Sequence, residues 1–143
     1  MSTEISDKKF FEIIPSRAQS TEAFYFIVKT GEIKSGRISI IKKLAGFNDA
    51  FISQFLNVNV KTYRSYLSNQ KRISKPLQEH VVMFLSLLKH GKEYFGDSEK
   101  FKAWLNTENF YLDWKQPSEY LDTINGIVVI DTMLTNMEQG NNA

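Results

Sequence analysis

The sequence predicts an all-α protein, and two observations favour that fold class. Apolar residues recur at helical spacing through most of the chain. Asparagine, serine, threonine and glycine stand where helices would begin and end. The chain of 143 residues is 42% hydrophobic, with eleven Phe, which is enough to form one compact core or two small modules that share one.

The N-terminal 19 residues are expected to form a tail before the folded part. Residues 1–9 are polar and should fray. The short apolar patch at 10–14 ends at Pro15, and the sequence leaves open whether it is strand or coil.

Two helices should follow this tail. Ser20 or Thr21 can cap the first, which ends at Gly31 and has an inward stripe of Ala23, Phe24, Ile27 and Val28. The second is predicted from about residue 37 to 45, before Gly46.

A pair of short helices joined by a tight turn is predicted next. Asn48 caps the first of the pair and Asn59 the second. Asn57 lies at the turn, where the backbone must adopt a positive φ, and Ser53 is the small residue where the helices approach. The inward residues are predicted to be Ile52, Leu56, Val58, Tyr63 and Leu67.

A long central helix should begin at Ser74 and Pro76 and end at Gly96, followed by a short helix that Asp97 or Ser98 caps. Pro117 begins another brief helical turn. The last segment, 124–140, contains a strand-like IVVI. Its wider periodicity favours a helix that ends at Gly140, through Ile127, Ile130, Leu134 and Met137.

Charge is distributed unevenly along the chain. Residues 50–92 carry seven cations and one acid, whereas residues 93–143 carry three cations and nine acids. Such polarity suggests that the two parts have different partners. No linker rich in Gly, Ser or Pro separates them, so we expect them to pack together as a module at 20–96 and another at 97–143.

The helix pair and its charge indicate a helix–turn–helix that binds DNA. Lys61 and Arg64 are the best candidates to enter the major groove, and Lys71 and Arg72 to contact phosphate. The alternative is that these charges form only a solvated face. The predicted DNA-binding residues are Asn59, Lys61, Thr62, Arg64, Ser65, Asn69, Lys71 and Arg72.

Catalytic and metal-binding classes receive no support from the sequence. There are no cysteines, and His80 and His90 stand ten positions apart, which does not place both on one helix face. No phosphate-binding glycine loop or nucleophile motif is present. We therefore expect that the protein is not an enzyme and that it binds neither a metal nor a cofactor. The absence of a leader-like N-terminus and of a long apolar run predicts a cytoplasmic location.

Several short motifs resemble a known family when they are taken in order. Trp104-Leu105, Asn109 and Leu112 precede Pro117, Leu121, Thr123 and Gly126, and a closing helix carries Val129, Leu134, Met137 and Gly140. Upstream, Gly46-Phe47, the run 52–62, Arg72-Ile73-Ser74 and Phe95-Gly96-Asp97 also fit. The chain from about residue 20 to 140 thereby resembles the Xre-type antitoxins of RES–Xre toxin–antitoxin pairs, the Xre/MbcA/ParS family.

The resemblance implies a homodimeric antitoxin within a larger complex. It would block the NAD pocket of a RES-type toxin with its C-terminal region and bind operator DNA to repress its own operon. Trp114 and Lys115 depart from the small, often glycine, turn of relatives. The predicted toxin-binding residues are Asn109, Trp114, Lys115, Asp131, Glu138, Gln139 and Gly140.

Two alternatives remain open from the sequence. The chain could be a stand-alone repressor whose C-terminal half only dimerises, or an antitoxin that does not bind DNA.

The two tryptophans are interpreted differently. Trp104 is interpreted as a core residue. Trp114 either caps the core or contacts a partner, and the sequence does not distinguish these roles.

Overall fold

The computed structural model describes residues 5–17 and 19–140, and within them the all-α prediction is confirmed. The α-helices are α1 (Asp7–Ile13), α2 (Ser20–Thr30), α3 (Ser39–Ala45), α4 (Asp49–Phe55), α5 (Val60–Ser68), α6 (Lys75–Phe95), α7 (Ser98–Leu105) and α8 (Ile124–Glu138). Short 3-10 helices occupy Ser35–Ile38, Phe110–Leu112 and Pro117–Tyr120. The only extended pairings in the described part are two isolated bridges, Lys34 with Arg72 and Asn109 with Lys115.

Helix α6 is the centre of the molecule, as its almost continuous apolar surface predicts. Ser74 Oγ accepts a hydrogen bond from the Leu77 amide at 3.2 Å at its start, and Gly96 ends it with φ 92°. Helices α2, α7 and α8 all pack against it. One continuous apolar core therefore runs through both predicted modules.

The asparagine, aspartate and threonine caps lie at the predicted helix starts. Asn48 Oδ1 accepts from the Phe51 amide and Asn59 Oδ1 from the Thr62 amide, both at 2.8 Å. Asp97 caps α7, and the segment that was ambiguous between strand and helix is the 15-residue helix α8. Its periodicity, and not its strand-like IVVI, decides its structure because Ile127, Ile130 and Leu134 share the buried face.

From residue 5 onward the structure corrects the expectation of a frayed tail, whereas residues 1–4 of that tail lie outside the described residues. The apolar patch forms the second half of α1 and its C-cap Ile14, and Phe10 and Ile14 are only 3% and 1% exposed. Lys89 Nζ, from α6, donates to the carbonyls of Glu12 at 2.6 Å and Ile14 at 2.8 Å. Residues 7–14 thus belong to the core because α6 supplies both apolar surface and a donor for the free carbonyls of α1.

Of the four residues predicted to face inward on α2, Ala23 and the partly buried Ile27 pack against the core, but Phe24 and Val28 do not. Ala23 and Phe26 are buried, whereas Phe24 and Val28 are 50% and 61% exposed. The helix follows Gln19, whose amide donates to Glu22 Oε1 at 3.0 Å, and not a Ser20 or Thr21 cap. Two adjacent apolar stripes exist on this helix, and packing against α6 selects between them.

Candidate functional site

The turn between α4 and α5 has the geometry that the sequence predicts. Ser53 is buried, and its carbonyl accepts from the Val58 amide at 3.0 Å. Asn57 adopts φ 59° in the left-handed region, which asparagine tolerates better than most residues. The predicted helix pair is therefore present, with Tyr63 fully buried beneath α5.

Asn57 also connects this turn to the C-terminal part of the chain. Its Nδ2 donates to the carbonyl of Asp122 at 3.0 Å, one residue before the Thr123 cap of α8. Glycine, the commonest residue at such turns, could not make this bond. The contact spans 65 residues, so no local sequence signal indicates it.

The two cations predicted to enter the major groove are both exposed on α5. Arg64 is 67% exposed, and its Nε lies 3.7 Å from Asp49 Oδ2. Asp49 Oδ1 also accepts from Lys42 Nζ at 2.8 Å, and this hydrogen bond is the main reason that the pKa of Asp49 is lowered. Asp49 stands just before the basic stretch at 50–92 and partly neutralises its exposed face.

Of the other predicted DNA-binding residues, Asn59 and Thr62 lie at the start of α5, Ser65 lies within it, and Asn69, Lys71 and Arg72 lie after its end. Ser35, fully buried in the preceding 3-10 helix, donates through Oγ to the Asn69 carbonyl at 2.6 Å and accepts from the Lys71 amide at 2.9 Å. Lys71 Nζ hydrogen-bonds Ser65 Oγ. Arg72 is 81% exposed and pairs with Glu32 at 3.1 Å. Ser35 orders this loop, but the sequence does not reveal that role because the residues it contacts are more than 30 positions away.

A compact loop at residues 109–115 forms the second candidate surface. The Asn109 amide donates to the Lys115 carbonyl at 3.0 Å, and Asn109 Oδ1 accepts from the Tyr111 amide at 2.8 Å. Trp114 is 61% exposed, so of the two roles left open for it, capping the core does not apply. Phe110 and Tyr111 are also exposed, although neither was predicted as a site residue.

The predicted toxin-binding residues near the C-terminus divide between surface and interior. Gln139 and Gly140 are exposed. Asp131, in contrast, is 6% exposed, and its Oδ1 lies 2.7 Å from Nδ1 of the fully buried His90. A direct toxin contact by Asp131 conflicts with this burial, because its carboxylate faces α6 and not solvent.

Glu138 and Arg17 complete the cluster around His90. Glu138 Oε1 lies 2.5 Å from His90 Nε2, and its Oε2 accepts from Arg17 Nη2 at 2.6 Å. Burial by itself lowers the pKa of His90, but the hydrogen bonds to Asp131 and Glu138 outweigh it and raise the pKa above 6.5. His90, interpreted from its spacing as an ordinary residue, therefore holds α6, α8 and the N-terminal segment together.

His80 makes a second link between α6 and the C-terminal region. Its Nε2 lies 2.9 Å from the Leu121 carbonyl, and burial lowers its pKa.

Across residues 5–17 and 19–140, no group of three or more His, Asp or Glu side chains is placed to hold a metal ion. No helix in this same part of the chain combines the length and apolar character required to cross a bilayer.

These features define an all-helical protein with a basic helix pair and an acidic C-terminal region built on a shared central helix. Residues 90–140 match the family of the antitoxin Xre/MbcA/ParS C-terminal toxin-binding domain. This match agrees with the resemblance of the same residues to the Xre/MbcA/ParS antitoxins. The comparison with curated proteins finds no match.

Proposed function

We propose that the protein is the antitoxin of a type II toxin–antitoxin pair and neutralises a RES-type, NAD-targeting toxin by covering its active site. The match of residues 90–140 to a toxin-binding domain carries this proposal. The toxin-facing residues are Asn109, Trp114, Lys115, Glu138, Gln139 and Gly140, and the buried Asp131 is not among them.

Charge supports the choice of toxin. A pocket that binds the pyrophosphate of NAD is cationic, and the C-terminal region opposite it carries nine acids and three cations. Reversal of surface acids in residues 93–143 should therefore weaken the complex, most strongly at low salt.

We further propose that α4 and α5 bind operator DNA as part of a homodimer in the cytoplasm and repress the operon. Lys61 and Arg64 would enter the major groove, with Asn59, Thr62 and Ser65 beside them, while Asn69, Lys71 and Arg72 contact phosphate. The exposure of Lys61, Arg64 and Arg72 supports this role. No cofactor, metal or catalytic activity forms part of the proposal.

Co-expression with the adjacent gene tests the first proposal. The neighbouring toxin should arrest growth alone, lose this effect when the antitoxin is present, and co-purify with it. A neighbour that is not toxic, or a toxin that is neither bound nor neutralised, would overturn the antitoxin function and leave the stand-alone repressor.

A gel shift with the upstream region tests DNA binding separately. The wild type should retard this DNA, with an affinity that falls steeply as salt increases because cations displaced from phosphate drive binding. Lys61→Ala combined with Arg64→Ala should abolish the shift without affecting toxin neutralisation. An unchanged shift in this double variant would contradict the placement of α5 in the groove.

A further inference from the structure

We propose that Phe110, Tyr111 and Trp114 form a rigid aromatic anchor that inserts into an apolar, cation-rimmed pocket on the toxin. This inference rests on the proposed antitoxin function and names the part of the surface that dominates the affinity. Neither Phe110 nor Tyr111 was expected from the sequence to contact a partner.

The three rings form one continuous exposed surface, which is called here the aromatic anchor. Phe110 is 64%, Tyr111 53% and Trp114 61% exposed. The Phe110 ring centroid lies 5.2 Å from that of Tyr111 and 5.6 Å from that of Trp114, both edge-to-face. Large aromatic side chains grouped in this way are the usual dominant contacts of protein interfaces.

The backbone beneath the aromatic anchor is ordered before any partner arrives. The Asn109 carbonyl accepts from the amides of Leu112 at 3.0 Å and Trp114 at 2.9 Å, and the Lys115 amide returns to the Leu112 carbonyl at 3.0 Å. Leu112 packs against the core and fixes the loop to the domain. A side chain on such a loop loses less conformational freedom on binding than one on a flexible segment.

The conformation of Trp114 indicates that this side chain contributes to binding and not to the stability of the fold. Asp113 and Trp114 both lie in the left-handed region, with φ 55° and 64°. Glycine adopts this conformation with less strain than a bulky residue. Trp114 gains little burial in return, since most of its side chain is exposed. A strained, exposed tryptophan is the pattern expected of a binding residue.

Position and charge identify the occupant as the toxin and not a second copy of this chain. The aromatic anchor lies inside the toxin-binding domain at 90–140. Exposed Glu108 and Asp113 stand beside the rings in sequence and outnumber the one exposed cation there, Lys115, so an isologous contact between two copies would bring net negative charge together. A toxin pocket with a cationic rim would pair with these acids, whereas the phosphates of DNA would be repelled.

Two full-length variants test the proposal. Trp114→Gly removes the indole and relieves the backbone strain, so the melting temperature should be unchanged or raised. Phe110→Ala with Tyr111→Ala removes the other two rings. The matched control is Phe24→Ala with Tyr25→Ala, which removes an exposed edge-to-face aromatic pair on α2.

Affinity for a catalytically inactive form of the RES-type toxin from the adjacent gene is then measured by calorimetry. Each loop variant should bind at least about tenfold more weakly than wild type, as expected when an interface anchor is removed, while the control stays within about twofold. Circular dichroism should show equal helix content in all of them.

The outcomes separate this inference from the function on which it rests. If wild type binds the toxin and both loop variants bind equally well, the anchor is overturned and the antitoxin function stands. If the wild-type protein itself does not bind the toxin, the aromatic anchor and the antitoxin function are both overturned. If the loop variants change the sedimentation of the free protein but not its affinity for toxin, the occupant is a second copy, and the proposal is likewise overturned.

Discussion

His90 Nδ1 lies 2.7 Å from Asp131 Oδ1, with the histidine side chain fully buried and the carboxylate nearly so. The other ring nitrogen faces Glu138 Oε1 at 2.5 Å. Both nitrogens can donate only if the ring carries two protons, so the geometry and the raised pKa of His90 indicate an imidazolium. Arg17 Nε lies 3.1 Å from Nε2, but a nitrogen that already donates to Glu138 cannot also accept, so this is a close contact and not a hydrogen bond.

Stability should fall as this imidazolium loses its proton. The pKa of His90 is raised above 6.5 in the folded protein, so its contribution is complete below about pH 6.5 and disappears as the pH rises through the raised value. Asp131→Asn should cost about 3 kcal/mol near pH 6, because it leaves a buried charge without its main partner, and less near pH 9.

Urea unfolding of both proteins over this pH range measures the difference. Glu108→Gln, which removes one exposed acid, is the control and should show no comparable trend. The pH should stay above about 5, since the pKa of Glu138 is lowered below 4.5 and its contribution is lost only in more acidic solution. A difference that does not vary with pH would mean that His90 is uncharged in the folded state.

Gly126→Ala should destabilise the C-terminal region. A Cβ at this position would overlap the carbonyl oxygen of Tyr120, a backbone atom that can move only with the turn at Pro117–Tyr120. We expect a loss of about 1–3 kcal/mol in the free energy of unfolding, measured by denaturant titration. Asn125→Ala, at the adjacent exposed position of α8, should change stability by less than about 0.5 kcal/mol. Equal stability of the two variants would show that α8 can shift away from this turn.

Asp49→Asn should strengthen DNA binding, provided that α5 is the DNA-reading helix. The change frees Lys42 and Arg64 from a carboxylate that competes with phosphate. We expect an affinity gain of about threefold at low salt that fades as salt increases, as measured by fluorescence anisotropy. Glu93→Gln, at the opposite end of α6 from Lys75, changes the net charge equally and serves as the control. Weaker binding by Asp49→Asn would instead indicate that Asp49 orients Arg64 for contact.

Phe10→Ala should show that α1 is part of the core. The ring is 3% exposed, packs edge-to-face on Phe26 with centroids 5.6 Å apart, and lies 4.4 Å from the Arg37 guanidinium carbon. Its removal should cost about 3–5 kcal/mol in unfolding free energy. Ile13→Ala, at a position that is 38% exposed on the same helix, should cost much less. Similar small losses in both would restore the view of this segment as a tail.

Local signals were sufficient to predict most helices but not their contacts. Asn48, Asn59, Ser74 and Asp97 act on amides three residues away, so their caps can be recognised in the sequence. The buried face of α2 could not be recognised in this way, because only packing against α6 determines that Phe26 and not Phe24 is buried. The His90 cluster joins residues 41 and 48 positions apart, and spacing along one helix carries no information about such partners.

The segment that matches the toxin-binding family begins at residue 90, inside the 21-residue helix α6, and not at a loop. A hybrid made by joining the N-terminal part of one antitoxin to the C-terminal part of another at this point would splice two half-helices. It would also separate Arg17 from Glu138, with which it forms an ion pair beside His90. A test of the proposed toxin binding should therefore exchange a few exposed side chains and not transfer the whole segment.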